Sequence, residues 1–106
     1  MKYRTGTVKI NDNQGNILLE RTLAEDYRFV ADITMPKQSC FFSFKPENAE
    51  DVDACMQKAV KWGLEKKPLA LVFGACNFFS EGIVQRTVYD AEADCVRIEM
   101  IGRFLC

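Results

Sequence analysis

Thiols and carboxylates are the side chains here that could do bond-making chemistry, because the 106 residues include no histidine. Without imidazole the chain lacks the usual proton carrier near neutral pH, the usual activator of Ser and Cys nucleophiles, and a frequent zinc ligand. A thiol can work without it where a helix N-terminus or a cation lowers its pKa. Of the five cysteines, Cys55 lies in an acidic stretch on the apolar stripe of a helix, and Cys40 and Cys95 begin strand-like runs, so all three read as core filling. Cys76, in Gly74-Ala75-Cys76-Asn77, follows a buried apolar run and is the best thiol candidate, but no base accompanies it. Cys106 is terminal, where the neighbouring carboxylate raises a thiol pKa.

The carboxylates cluster in two loops, Asp12 within Asn11–Asn16 and Asp90, Glu92 and Asp94 within a second. Oxygen ligands at such spacing could meet a hard cation, yet neither loop has the turn glycine followed by a distant bidentate glutamate that a calcium loop uses. Both read as solvated turns. Gly74, Gly82 and Gly102 stand alone, with no phosphate-cradling pattern. The expectation is therefore no catalytic residue, no metal and no cofactor.

The aromatic residues point to binding. Phe41, Phe42, Phe44, Phe73, Phe78 and Phe79 cluster on either side of the helix in sequence. Neighbouring residues of a strand face opposite ways, so Phe41 with Phe42, and Phe78 with Phe79 if extended, cannot all enter one core. Either the sheet is covered on both sides or an aromatic patch is open, with Asn77, Ser80 and Glu81 as its polar rim. Arg86 joins this set. A hairpin centred on Glu92 places it opposite Ile98 among apolar residues, as a buried ion-pair member or a ligand anchor, whereas a one-residue slip returns it to water. The candidate binding residues are thus Phe41, Phe42, Asn77, Phe78, Phe79 and Arg86.

The elements that must position them are readable to different degrees. Gly6–Ile10 and Ile17–Thr22 form a hairpin across Asn11–Asn16. Tyr27–Met35 alternates, with Tyr27, Phe29, Ala31, Ile33 and Met35 on one face, and ends at Pro36. Cys40–Phe44 is a short aromatic strand closed by Pro46. One helix is well marked: Val52, Cys55, Met56, Ala59, Val60 and Gly63 recur at helical spacing, Asn48 suits the N-cap, acids crowd the first turns, Lys58, Lys61, Lys66 and Lys67 the last, and Pro68 stops it. Leu69–Phe73 is a continuous apolar run, predicted as a central strand covered on both faces. Gly82–Tyr89 and Cys95–Phe104 form a hairpin around the five-residue loop Asp90–Asp94, with Val84 opposite Met100, Val88 opposite Val96, Gln85 opposite Glu99 and Thr87 opposite Arg97.

This order, βββ-β-α-βββ, predicts an α+β fold: a mainly antiparallel sheet or partly closed barrel of about seven strands with one central amphipathic helix, in a single domain spanning 1–106. With 48% hydrophobic residues and a formal net charge of −1, the chain can fill one core and has no basic face for phosphate backbones or anionic lipid. It shows no secretory signal pattern and no run long enough to span a bilayer. Five cysteines at irregular spacing match neither a disulfide framework nor a zinc ribbon, which points to a reduced, cytoplasmic setting.

Three functional expectations follow. The first is a small non-enzymatic interaction or accessory protein, of the kind found among inhibitors, immunity proteins, assembly factors and mobile-element proteins, binding a protein partner or itself as a homodimer through a sheet edge or aromatic patch. The alternative is a barrel-like domain holding a small ligand or single-stranded nucleic acid on its aromatic face, with Lys37, Lys45, Arg86 and Arg97 supplying charge; the negative net charge disfavours nucleic acid. An enzyme using Cys76 or a carboxylate pair in a pocket is the third.

Overall fold

In the computed structural model, residues 6–24, 28–31, 38–74 and 76–104 are described, with the side chains of 28–31, 76–79 and 104 left aside. Seven strands and one helix follow in the order β1 (Thr7–Asn11), β2 (Ile17–Thr22), β3 (Arg28–Ala31), β4 (Gln38–Phe44), α1 (Ala49–Glu65), β5 (Leu69–Phe73), β6 (Cys76–Asp90) and β7 (Cys95–Phe104). The strands make one antiparallel sheet, ordered β2-β1-β5-β6-β7-β4-β3. The α+β class read from the sequence is what the molecule has.

Each hairpin has a local cause. Between β1 and β2 the Asp12 carboxylate accepts from the Gln14 and Asn16 backbone N–H groups at 2.8 and 2.9 Å, and Gly15 takes φ +85°. Between β5 and β6 Phe73 pairs with Cys76, leaving Gly74, at φ +63°, and Ala75 between them. The segment Cys76–Phe79 is thus strand, so β6 starts six residues before the predicted Gly82. Between β6 and β7 the loop is Ala91–Asp94, one residue shorter than expected, because Asp90 pairs with Cys95 and its side chain accepts from the Glu92 and Ala93 N–H groups.

The sheet is strongly curled but not closed. Leu23, just beyond β2 near one edge, bridges Phe44 at the end of β4, next to the other edge. Ala24 N–H donates to the Ser43 carbonyl and Lys45 N–H to the Thr22 carbonyl, both at 2.9 Å. The concave side holds the core: Val8 and Ile10, Leu69, Leu71 and Phe73, Cys40, Phe42 and Phe44, Val96, Ile98 and Met100, met by Cys55, Ala59 and Trp62 of α1. Strand residues of this set recur every second position, as a sheet buried on one face requires. That corrects the expectation for β5, whose Ala70 and Val72 are only half-buried; one side of the strand is packed and the other has no second layer among the described residues.

The helix begins where expected, with Asn48 accepting from the Asp51 N–H at 2.9 Å, and ends at Lys66 in the left-handed region, φ 51°, before Pro68. Its buried stripe is rotated from the predicted one. At about 100° per residue, Cys55, Ala59 and Trp62 share a narrow sector, and the large indole of Trp62 takes the sheet-facing place assigned to Val60. Val60 is left 48% exposed. Gly63 lets α1 approach β6, since a Cβ there would lie 3.0 Å from the Val84 carbonyl oxygen. A second connection is electrostatic: Arg21 of β2 donates through Nε and Nη2 to both oxygens of Asp51 at 2.9 and 2.6 Å, tying an outer strand to the first turn of α1.

Of the segment Tyr27–Met35, only Arg28–Ala31 is described, as β3; Tyr27 and residues 32–37, including Lys37, lie outside the described residues, as does Cys106.

Candidate functional site

The thiols within reach of description are unsuited to chemistry. Cys40, Cys55 and Cys95 are buried thiols outside any disulfide. Burial pushes the Cys40 thiol up to about 12 and, together with the neighbouring Asp51 carboxylate, the Cys55 thiol up to about 11. Cys76 sits within β6 and not in a loop; its side chain lies outside the described residues.

The acidic loops are occupied by their own chain. Asp12 also accepts from Asn16 Nδ2 at 2.9 Å, and these hydrogen bonds hold its carboxyl below the ordinary value. Asp90 pairs with Arg97 at 2.8 Å, and Tyr89 donates its hydroxyl to Asp94 at 2.7 Å, a bond that raises the phenol's pKa. Among the described residues no group of three or more Cys, Asp or Glu side chains is arranged to hold a metal ion.

The six predicted binding residues separate. Phe42 is core, 3% exposed, with its ring 5.9 Å from Phe73 edge-on and 6.4 Å from Phe44, so its place in the binding set is corrected: strand alternation turns it inward. Phe41 takes the other face, half-buried, where Glu99 and Arg86 follow it across β7 and β6. Asn77, Phe78 and Phe79 lie on the first part of β6, with Asn77 opposite Val72 and Phe79 opposite Leu71 and Phe104. The sheet order puts β7 between them and Phe41's strand, so the two aromatic pairs do not meet across a single ladder.

Arg86 is on the surface, against the register centred on Glu92. Near the turn the ladder is displaced by one, pairing Val88 with Arg97, Thr87 with Ile98 and Arg86 with Glu99. Beyond a bulge at Gln85 the predicted pairing of Val84 with Met100 is restored. The physical reason is the guanidinium: a straight ladder would drive it against Ile98, where an unpaired charge costs several kcal/mol. The bulge turns it to the outside, opposite Glu99, and brings Thr87 inward.

Thr87 is poorly served by that exchange. Its hydroxyl oxygen is enclosed and has no hydrogen-bond partner, one of two such side-chain atoms among the described residues, with Asn11 Oδ1. It lines an open groove of about 600 Å³ between the second half of α1 and the bulged part of β6, together with Val60, Gly63, Leu64, Lys66, Val84 and Arg86. Leu64 is 80% exposed and Val60 48%. Sequence reasoning assigned no site role to Leu64, Lys66 or Thr87; the available signal was the i, i+4 spacing of Val60 and Leu64, which leaves an apolar flank once Trp62 is taken as the buried residue. A second recess of about 530 Å³ lies by Arg21, Thr22, Lys45 and Glu47, but Arg21 there is already held by Asp51.

Fold and site together define a curled, single-sheet α+β domain with an open groove beside its helix. No family model, no curated protein and no solved structure matches this chain.

Proposed function

We propose that this chain is a small non-enzymatic interaction protein, acting in the reducing cytoplasm, whose uncovered sheet face docks a second copy or a partner protein. One observation carries the reading: no helix or second sheet among the described residues lies over the convex face, although Phe41, Val72 and Ile101 are half-buried there and Val88 is 38% exposed. Around Phe41 the pairing sets Glu99 of β7 opposite Phe41 and Ser39 of β4 opposite Ile101, so apolar centres alternate with polar and charged groups, the mixture typical of non-obligate interfaces. The edges support docking less well. The outer strand β2 carries Glu20 and Arg21, charged residues that discourage strand addition.

The test is light scattering over a wide concentration range. The expected result is a mass rising above the 12.1 kDa of one chain and held at that value by Val88→Lys, a substitution at an exposed strand position that leaves the core intact. A constant single-chain mass, with no partner recovered from the native host, would overturn the reading.

A further inference from the structure

We infer that the groove between α1 and the bulge of β6 is a binding site for a small amphipathic carboxylate, a molecule with an aliphatic body and one anionic head. This goes beyond the interaction surface proposed above. Four observations converge on it. Val60 and Leu64 present aliphatic surface on an exposed helix flank, with Val84 nearby, and they are two of the four large hydrophobic side chains exposed among the described residues. Among the described residues the charged ones lining the groove are Lys66 and Arg86, and no carboxylate lines it. Arg86 forms no ion pair among the described residues, its cross-strand neighbour Glu99 included. The enclosed Thr87 hydroxyl has a donor and acceptor capacity that nothing among the described residues uses.

The arrangement explains the ligand's two halves. An aliphatic chain laid along Val60 and Leu64 removes apolar surface from water on both sides. A carboxylate at the other end accepts charge-assisted hydrogen bonds from a guanidinium whose planar fork matches its two oxygens, with Lys66 adding a point charge. The site's charge complementarity selects anions over neutral molecules of the same length. Its openness and size select a single short chain, and the net charge of −1 gives no attraction to an anionic membrane.

Octanoate is the probe, titrated into the full chain and followed by backbone amide shifts. The expected shifts concentrate at Val60, Gly63, Leu64 and Val84 to Thr87. Octanol, which keeps the chain and lacks the charge, binds about tenfold more weakly or worse, as do Arg86→Ala and Leu64→Ser toward octanoate. Both substitutions are at exposed positions, so folding is retained. Thr87→Val raises the thermal midpoint of the free protein, because an unpaired enclosed hydroxyl is gone. The inference is overturned by an absence of octanoate-dependent shifts, by shifts located elsewhere, by equal affinity for octanol, or by binding confined to phosphatidylglycerol vesicles. Val88→Lys lies outside the groove, so a chain that is monomeric yet binds octanoate separates this site from the interaction reading.

Discussion

At the scale of single residues, the most consequential pair is Arg21 and Asp51. Sequence offered no hint that residues 30 apart would join, because the pairing depends on β2 and the first turn of α1 meeting over the core. The Asp51 carboxylate accepts two hydrogen bonds from Arg21 and a third from the Glu47 N–H at 2.8 Å, and these hold its pKa well below the ordinary 3.8. A carboxyl depressed in the folded state contributes stability above its unfolded pKa and loses that contribution as pH falls through the folded value. The thermal midpoint should therefore fall steadily on acidification below about pH 4. Asp51→Asn should lower the midpoint at neutral pH, by about 1 to 3 kcal/mol in stability, and flatten the acid limb. Equal acid slopes in the two proteins would show that the pair does not govern it.

At the scale of elements, much was legible and the failures share a cause. The helix, its N-cap and its stop were written in local chemistry, as were the first and last hairpins, where Asp12, Gly15 and Asp90 do the bending, whereas the tight turn at Gly74 was not. What could not be read were choices made by packing. Val60 and Trp62 are both apolar, and which of them faces the sheet depends on where β6 lies. Phe42 and Phe41 alternate by rule, but the rule does not say which one is buried. The Gln85 bulge is a competition between two alignments of one hairpin, and the charge on Arg86 decides it. Arg86→Val removes that decision. With an apolar residue the straight ladder, residue 86 opposite Ile98 and Thr87 opposite Arg97, becomes competitive, and the β6 and β7 amides should show doubled or exchange-broadened resonances. A single sharp set unchanged from the parent would mean that the bulge is fixed by the turn and not by the charge.

At the scale of the whole molecule, the α+β class was readable and the strand order was not. Consecutive strands pair within the hairpins β1-β2, β3-β4, β5-β6 and β6-β7, as local connection rules predict. The long-range pairs, β1 with β5 and β4 with β7, are set by the global burial of Ile10 against Leu71 and Phe42 against Ile98. They leave β2 and β3, near in sequence, at opposite edges. Binding function is the least legible level, because a groove and a convex face are properties of assembled surfaces. No side-chain type in the sequence announces them.

One feature of that assembly sets how the molecule breathes. Along most of its width the sheet is stitched by continuous ladders, but where it curls back on itself Leu23 and Phe44 meet through a lone bridge flanked by two backbone bonds. Among the described residues that seam has the fewest fasteners of any junction between strands, so opening there sacrifices little while the remaining ladders stay shut. The amides of Ala24 and Lys45 should accordingly trade hydrogen for deuterium well before those in the middle of β6 and β7, with the clasp parting and the hinge running down the opposite wall. Protection at those two amides equal to that of Ile98 would instead mean that the curled sheet opens only by unfolding altogether.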